Sequence, residues 1–217
     1  MIAPEHDALA GDNVLSTVGA LTRITPARLA AAAAEFRPML ADLPRPLVTV
    51  LLGGPNKAYR MSERLVERLG EDLAGLIERQ NCGLAISASR RTGTAATAYL
   101  RQRLQGLPAI FWEGDGPNPY FGLLALADAI LVTADSINMV SEASSTGKPV
   151  HVIALEGGSA KFRRFHERLA AAGATRPFTG TIEDWHYRPL AETARVGAEL
   201  GRRLAAHRAV QDGHAAA

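Results

Sequence analysis

Short apolar runs alternate with longer amphipathic stretches from residue 47 onward. The amphipathic stretches predict helices over residues 62–79, 94–104, 120–127, 136–146 and 159–172. Continuous apolar strands separated by helices are typical of a parallel sheet covered on both faces. The strand-like runs that precede these helices are LVTVLLGG, CGLAISAS, PAIFW, AILVT and PVHVIAL.

The pattern predicts an α/β, doubly wound, Rossmann-like domain over residues 46–187, with shorter pieces on both sides. Residues 1–45 contain a strand-like run, NVLSTVG, and a helix for which Thr25 is the N-cap and Pro26 the first helical residue. Neither has an evident partner, so this piece is interpreted as the remnant of an N-terminal domain plus a linker helix. Residues 188–217 are predicted to form a C-terminal helix from about Leu190 and a disordered tail, QDGHAAA, from Gln211.

The composition of the chain limits the kinds of binding partner and the cellular location that are expected. The chain has 217 residues, 47% of them hydrophobic, and its 24 Lys+Arg and 22 Asp+Glu are spread along the sequence. This balance gives no reason to propose nucleic acid. The single cysteine, Cys82, excludes an internal disulfide. No apolar run approaches the roughly 18 residues of a membrane span, and the first residues lack the features of a signal peptide, so a cytoplasmic location is expected.

Ligands of open parallel sheets bind at the carboxyl ends of the strands, where loops lead into helix N-termini. The first such loop reads GGPNKAYR. Gly53 and Gly54 would let the backbone approach a phosphate without a Cβ, and a simple tight turn is the alternative. Asn56, Lys57 and Tyr59 offer hydrogen-bond donors beside it. The sequence contains neither the P-loop pattern nor the dinucleotide fingerprint.

The next two loops also carry polar residues. SASRRTG places Ser89, Arg90, Arg91 and Thr92 where charge-assisted hydrogen bonds could hold an anion, although a solvated basic turn explains them equally well.

In FWEGDGPNPYFG, Trp112 could stack on a nucleobase or be an ordinary core aromatic residue. Asn118 and Tyr120 start the following helix. Glu113 and Asp115 are interpreted as loop caps, because no metal-ligand spacing surrounds them.

The helix after the fourth strand is unusually polar. At about 100° per residue, Ile137, Val140 and Ser144 fall on one packing stripe. Ser136, which follows Asp135, is the predicted N-cap, and the helix ends at Gly147.

A different face of this helix carries Asn138, Glu142 and Ser145. The carboxylate of Glu142 can accept both hydroxyls of a ribose, while the amides of the first turn, near Met139, take a diphosphate. A solvent-facing glutamate is the alternative. We call the turn at Gly53 and Gly54 the glycine bend. We expect this bend and Glu142 to line one common hollow at the edge of the sheet.

Several segments together resemble a known family. These segments are PEHD, LLGGPNKAYR, SASRRT, DGPNPYFGLLALADAILVTADSINMVSEA and GKPV. Together they resemble the mitochondrial-fission ELM-type family, which has bacterial members, over about residues 3–204. The glycine loop and the strand-turn-helix also resemble the nucleotide-sugar-binding C-terminal half of GT-B glycosyltransferases.

The resemblance implies a GT-B fold that binds a nucleotide sugar of the UDP type, with Glu142 on the ribose and Trp112 or its neighbours near the base. Residues 53–57 and 136–139 would lie near the diphosphate. The candidate binding residues are Gly53, Gly54, Asn56, Lys57, Tyr59, Ser89, Arg90, Arg91, Thr92, Trp112, Asn118, Tyr120, Asp135, Ser136, Asn138, Met139, Glu142 and Ser145.

The reaction implied is metal-independent glycosyl transfer without a cofactor, with His6 or Asp7 as a candidate base; a structural role for this pair is the alternative. GT-B enzymes take the acceptor site and the base chiefly from an N-terminal domain, so the isolated chain is expected to be inactive if that domain is missing. A homodimer, or the missing domain, would then cover the linker and C-terminal helices.

Two other functions remain open. One is a non-catalytic adaptor of the same family. The other is an NAD-dependent sugar-nucleotide epimerase, which is disfavoured because the glycine fingerprint and a Tyr-x-x-x-Lys pair are absent.

Overall fold

A computed structural model describes residues 1–112, 114 and 116–215. Glu113 and Asp115, interpreted as loop caps, lie outside the described residues. The strands are β1 Ile2–Pro4, β2 Leu15–Thr17, β3 Leu47–Leu52, β4 Tyr59–Arg60, β5 Gly83–Ala88, β6 Ala109–Trp112, β7 Ala129–Thr133, β8 Val150–Ile153, β9 Glu156–Gly157 and β10 Thr175–Pro177.

The helices begin and end close to the predicted bounds. Thr25 and Ser136 are N-caps as predicted, and each side chain accepts a backbone N–H of the first turn. Ser62 and Ser159 cap their helices in the same way. The helices are α1 Pro26–Phe36, α2 Glu63–Gln80, α3 Thr94–Arg103, α4 Tyr120–Leu126, α5 Ile137–Ser144, α6 Ala160–Ala171 and α7 Glu192–Ala215.

Six strands form one parallel sheet in the order β10-β8-β7-β3-β5-β6. The predicted α/β doubly wound class is therefore confirmed. The chain starts the sheet at its centre with β3, builds outward through β5 and β6, and then crosses back to β7. Strand order thus reverses between β3 and β7, and such a switch point is where open α/β sheets bind ligands. The sequence pattern did not predict β10, because this strand has only three residues, Thr-Arg-Pro, and no apolar run.

The two faces of the sheet carry separate apolar clusters. Val50 and Leu52 of β3 pack with α2 and α3, whereas Leu51 points to the other face and packs with α4, α5 and α6. All three side chains are fully buried. This alternation along a strand covered on both faces explains why its sequence is continuously apolar.

The strand and the helix of the N-terminal piece both have partners. Strand β2 pairs in parallel with β1, and α1 contacts α4. Gly122 permits the close approach of α1, because a Cβ at this position would lie 2.6 Å from the Cβ of Phe36. The interpretation that the first strand and helix have no partners is therefore wrong.

Helix α7 extends beyond its predicted end. The side chain of Val196 is buried, whereas Leu200 and Leu204 are about half exposed. The helix continues to Ala215, past the predicted start of the tail at Gln211, whose side chain hydrogen-bonds His207 one turn earlier. Within the described residues, no helix is long and apolar enough to cross a membrane.

Candidate functional site

The carboxyl ends of β3 and β7 lie side by side, since Leu51 and Val132 are paired in the sheet. The two glycines follow β3, and Asp135 follows β7 and immediately precedes the N-cap of α5. The chain thus brings two of its polar loops together at the switch point. We call this region the switch-point site.

Asp135 organises the switch-point site. Its carboxylate is completely buried, accepts the backbone N–H of Gly54 at 3.1 Å, and pairs with the Nη1 atom of Arg91 at 2.7 Å. Nη1 of Arg91 also donates to the carbonyl of Gly54 at 3.1 Å. The loops after β3, β5 and β7 are therefore joined through one carboxylate. The Arg91 side chain remains 42% exposed, so it also faces solvent.

The two glycines are required by this contact between loops. A Cβ on Gly53 would lie 2.2 Å from a carboxylate oxygen of Asp135, and a Cβ on Gly54 would lie 2.1 Å from the carbonyl oxygen of Arg91. The N–H of Gly53 donates to the hydroxyl of Thr133 at 2.7 Å. Protein groups fill the space beside both glycines and accept hydrogen bonds from both N–H groups. The prediction that the glycines make room for a phosphate is therefore corrected, and contact between the loops is the reason for them.

The hydroxyls predicted to hold an anion after β5 instead bind the end of β3. Ser89 donates to the carbonyl of Gly53 at 3.0 Å, and Thr92 donates to the carbonyls of Leu52, at 3.0 Å, and of Gly53. The predicted role of these hydroxyls is therefore corrected. Arg90 is exposed and is the basic residue of this loop that lines a cavity.

Of the three donors predicted after the glycines, Asn56 and Tyr59 contact other parts of the protein, whereas Lys57 faces solvent. The Oδ1 atom of Asn56 accepts the backbone N–H of Tyr59 at 3.0 Å, and its Nδ2 donates to the carbonyl of Asp135 at 3.2 Å, so this side chain shapes its own loop. Tyr59 is buried edge-on against Phe162, and burial raises the pKa of its hydroxyl. Asn56 is exposed as a residue, but its amide group bonds to the backbone of the protein, and the Tyr59 ring is buried, so the structure gives both side chains a structural contact. Lys57 is exposed at the same loop.

Helix α5 has the packing stripe that its sequence predicts. Val140 and Ser144 are buried, and Ile137 is half-buried against the same apolar cluster. The hydroxyl of Ser136 accepts the backbone N–H of Met139 at 3.3 Å.

The other face of α5 is partly as predicted. Asn138 is exposed, and Glu142 is half-buried. The hydroxyl of Ser145 donates to the carbonyl of Ser141 in its own helix at 2.8 Å, so it is not presented to a ligand as expected.

The carboxylate of Glu142 is held by a tyrosine at the start of α4. The Tyr120 hydroxyl donates to Oε2 of Glu142 at 2.7 Å. Burial, together with the nearby carboxylate, raises the pKa of this hydroxyl, which keeps its proton in place. Asn118 accepts the backbone N–H of Tyr120 at 2.9 Å, in keeping with its predicted position at the helix start.

A cavity of about 870 Å³ lies between α3 and the edge strand β6. Its lining includes Arg90, Thr94 and the aromatic rings of Phe111 and Trp112. A smaller cavity of about 330 Å³ lies between α2 and the carboxyl ends of β8 and β10. Neither of these two cavities is lined by the glycine bend or by Glu142, so the expected common hollow is not one of them.

His6 and Asp7 lie in the turn after β1 and contact α6. The His6 ring is 2% exposed and packs edge-on against Phe165, and burial lowers its pKa. Asp7 pairs with Lys161 at 2.7 Å. These contacts favour the structural alternative, because a general base must reach its substrate.

One residue of the switch-point site was missed by the sequence analysis. Thr133, the last residue of β7, is completely buried and accepts the N–H of Gly53. The available signal was a hydroxyl at the end of an otherwise apolar strand, where a backbone donor of the neighbouring strand needs an acceptor.

Comparison with known proteins identifies relatives of this chain. It is 38% identical over 200 residues to the mitochondrial fission protein ELM1 of Arabidopsis thaliana, a match that covers 90% of this chain and 46% of that protein. It is 31% identical over 199 residues to the uncharacterized protein RP120 of Rickettsia prowazekii, which covers 88% and 56% respectively. The chain therefore spans about half the length of these curated relatives.

Solved structures show a more distant likeness. The crystal structure of Os79 from O. sativa in complex with UDP and deoxynivalenol-3-glucoside has a TM-score of 0.45 and 16% identity, covering 85% of this chain and 44% of that one. Anabaena Alr3699/HepE in complex with UDP and glucose has a TM-score of 0.39 and 11% identity, covering 82% and 53%. The family model for mitochondrial fission ELM1 matches residues 1–204, and this chain therefore belongs to the mitochondrial fission ELM1 family.

Proposed function

We propose that this protein binds a nucleoside diphosphate sugar of the UDP type at the switch-point site. The observation that carries the proposal is the reversal of strand order between β3 and β7, which brings the glycine loop beside the N-terminus of α5. Helix N-termini at such a switch point attract phosphate groups through free N–H groups and partial positive charge. The half-buried Glu142 stands on the second turn of the same helix.

The proposed ligand lies across the carboxyl ends of the strands. The diphosphate meets the first turn of α5, with the exposed cations Lys57 and Arg90 on the neighbouring loops. The ribose meets Glu142, whose Oε1 atom has no hydrogen bond or ion pair with the described residues. We expect the base near Trp112, at the carboxyl end of β6, since an aromatic ring offers a stacking surface.

The reaction proposed for such a ligand is glycosyl transfer. The leaving diphosphate needs compensation of its charge, which the N-terminus of α5 and Lys57 supply. Because His6 is buried and Asp7 is paired, neither is assigned the role of base.

Ligand-dependent melting tests the proposal. UDP or a UDP-sugar at 100 times its dissociation constant stabilises the folded state by about 2.7 kcal/mol, which raises the melting temperature. Glu142→Ala should abolish the increase, whereas Glu67→Ala, at an exposed position on α2, should preserve it. A melting temperature of the unaltered protein that does not respond to any nucleoside diphosphate would contradict the proposal.

The second candidate function is that of a non-catalytic adaptor in the same family. It is favoured by one observation, namely that neither described cavity is lined by Glu142 or the glycine bend. The exposed Leu200 and Leu204 of α7 then belong to a surface that a second copy or a further domain covers. Sedimentation analysis tests whether a second copy covers this surface. If the unaltered chain self-associates through α7, a variant that carries both Leu200→Glu and Leu204→Glu should be monomeric.

A further inference from the structure

We infer that Tyr120 is a positioning residue that orients Glu142 for the 2′ and 3′ hydroxyls of a ribose, an inference that rests on the proposed function. The Tyr120 hydroxyl holds Oε2 of Glu142 at 2.7 Å and leaves Oε1 for the ligand. The two oxygens of one carboxylate would thus have separate tasks.

The tyrosine ring is fixed by its surroundings. Tyr120 is the first residue of α4, its backbone N–H is held by Asn118, and the preceding Pro119 is buried. The ring packs edge-on against Phe121, with 5.6 Å between ring centroids and an angle of 83° between their planes. It also contacts the apolar cluster beneath α4 and α5. The hydroxyl therefore occupies a defined position before any ligand arrives.

The hydrogen bond from Tyr120 fixes the orientation of the Glu142 carboxylate. A glutamate side chain loses rotamer freedom when a ligand immobilises it, and a hydrogen bond that is already present reduces the freedom that ligand binding must still remove. A hydrogen bond to a carboxylate is stronger than one between neutral groups. Burial of Tyr120 keeps the hydroxyl protonated, so it remains a donor.

The remaining oxygen of Glu142 selects a ligand that donates hydrogen bonds. Glu142 lies six positions after the N-cap Ser136, which corresponds to about 9 Å along the helix at 1.5 Å per residue. Glu142 is thus about one and a half turns from the helix end at which the diphosphate is proposed to lie, on the side where the sugar follows the phosphate. A vicinal diol offers two donors to Oε1, whereas a dideoxyribose offers none and leaves Oε1 without a partner on the ligand.

Calorimetric titration with UDP and 2′,3′-dideoxy-UDP tests the role of Tyr120. Tyr120→Phe keeps the ring and removes only the hydroxyl, so we expect UDP to bind about five- to tenfold more weakly and dideoxy-UDP to bind as before. Tyr187→Phe is the matched control, because it removes a tyrosine hydroxyl that donates to the carbonyls of Ser144 and Lys148. This control should leave the ratio of the two affinities unchanged.

The outcomes separate the inference from the proposed function. If Tyr120→Phe weakens both ligands equally, or neither, Tyr120 has a structural role only and the inference is overturned. If the unaltered protein binds neither ligand, the proposed function fails first. Melting of each variant without ligand shows whether it is folded.

Discussion

Gly53 and Gly54 show that one residue pattern can have two physical causes. Adjacent glycines after the first strand of a parallel sheet are compatible with a phosphate loop, since both features need a backbone without a Cβ. In the structure, the space beside Gly53 is filled by the Asp135 carboxylate, and the space beside Gly54 is filled by the backbone of Arg91. Contact between loops therefore explains both glycines without a ligand.

Replacing Gly54 tests this explanation. Gly54→Ala should destabilise the fold by about 1–3 kcal/mol, because the new Cβ meets backbone atoms that cannot move aside easily. Gly197→Ala is the control: nothing lies within 4 Å of a Cβ at that helical position, and alanine should stabilise α7 by about 0.5–1 kcal/mol. Urea denaturation measures both changes, and equal stability of Gly54→Ala and the unaltered protein would contradict the explanation.

At the scale of elements, α5 is polar because its serines connect it to other parts of the chain. Ser141 is completely buried, and its hydroxyl accepts the backbone N–H of Ala20 at 2.9 Å. The hydroxyl of Ser145 accepts a hydrogen bond from Thr22. The sequence predicted that Ser145 faces a ligand, whereas Ser145 and the buried Ser141 both bind the segment that precedes α1.

Lys148 links α4 to the strand after α5. Its ammonium group donates to the carbonyls of Ala125 and Ala127, at the C-terminal end of α4, and burial lowers its pKa to about 8. Between about pH 8 and pH 10.5, this lysine carries a proton in the unfolded chain but has lost it in the folded chain. The free energy of unfolding therefore increases as the pH rises through this interval.

A variant at this position isolates the pH effect. As the pH rises from 8 to 10, the unaltered protein should gain unfolding free energy relative to the Lys148→Met variant, by at most about 1.4 kcal/mol per pH unit. Chemical denaturation at several pH values measures the difference. A difference that stays constant over this range would show that Lys148 keeps its ordinary pKa in the folded state.

At the scale of the whole molecule, the flanking segments are joined to each other as well as to the α/β sheet. Glu192 at the start of α7 accepts the backbone N–H of Val18, and Arg203 donates to the carbonyl of Asp12. Helix α1 lies on α4 at Gly122. The N-terminal and C-terminal segments thus pack around one α/β unit.

Buried histidines predict how the stability of the whole molecule depends on pH. Burial lowers the pKa of His6, His151 and His166 below the ordinary 6.5, and the Nδ1 atom of each is buried without a hydrogen-bond partner among the described residues. Below pH 6.5 the unfolded chain binds protons that the folded chain does not bind, so stability is lost as the pH falls.

Denaturation at pH 7.5 and 5.5 measures this loss. Each histidine should contribute at most about 1.4 kcal/mol per pH unit, and His166→Gln, which can retain a bond to the carbonyl of Ala134, should reduce the slope. Stability that is equal or greater at pH 5.5 would show that these rings accept protons in the folded state.

Much of the fold could be predicted from sequence because its signals are local. The apolar runs predict five of the six strands of the main sheet, since a strand covered on both faces needs apolar residues at successive positions. Hydroxyl residues before Pro26 and Ile137 predict helix starts, because an N-cap acts on amides only two or three positions away. The packing stripe of α5 follows from helical spacing in the same way.

Only the tertiary structure decided which of the polar residues have protein partners. Asp135 with Arg91, and Tyr120 with Glu142, are contacts between residues far apart in the chain, and no local pattern encodes their distances. The same is true of the space beside each glycine and of the strand order that creates the switch point. Sequence by itself determined which elements form, because periodicity and capping act within a few residues, whereas the composition of the site depended on how those elements pack.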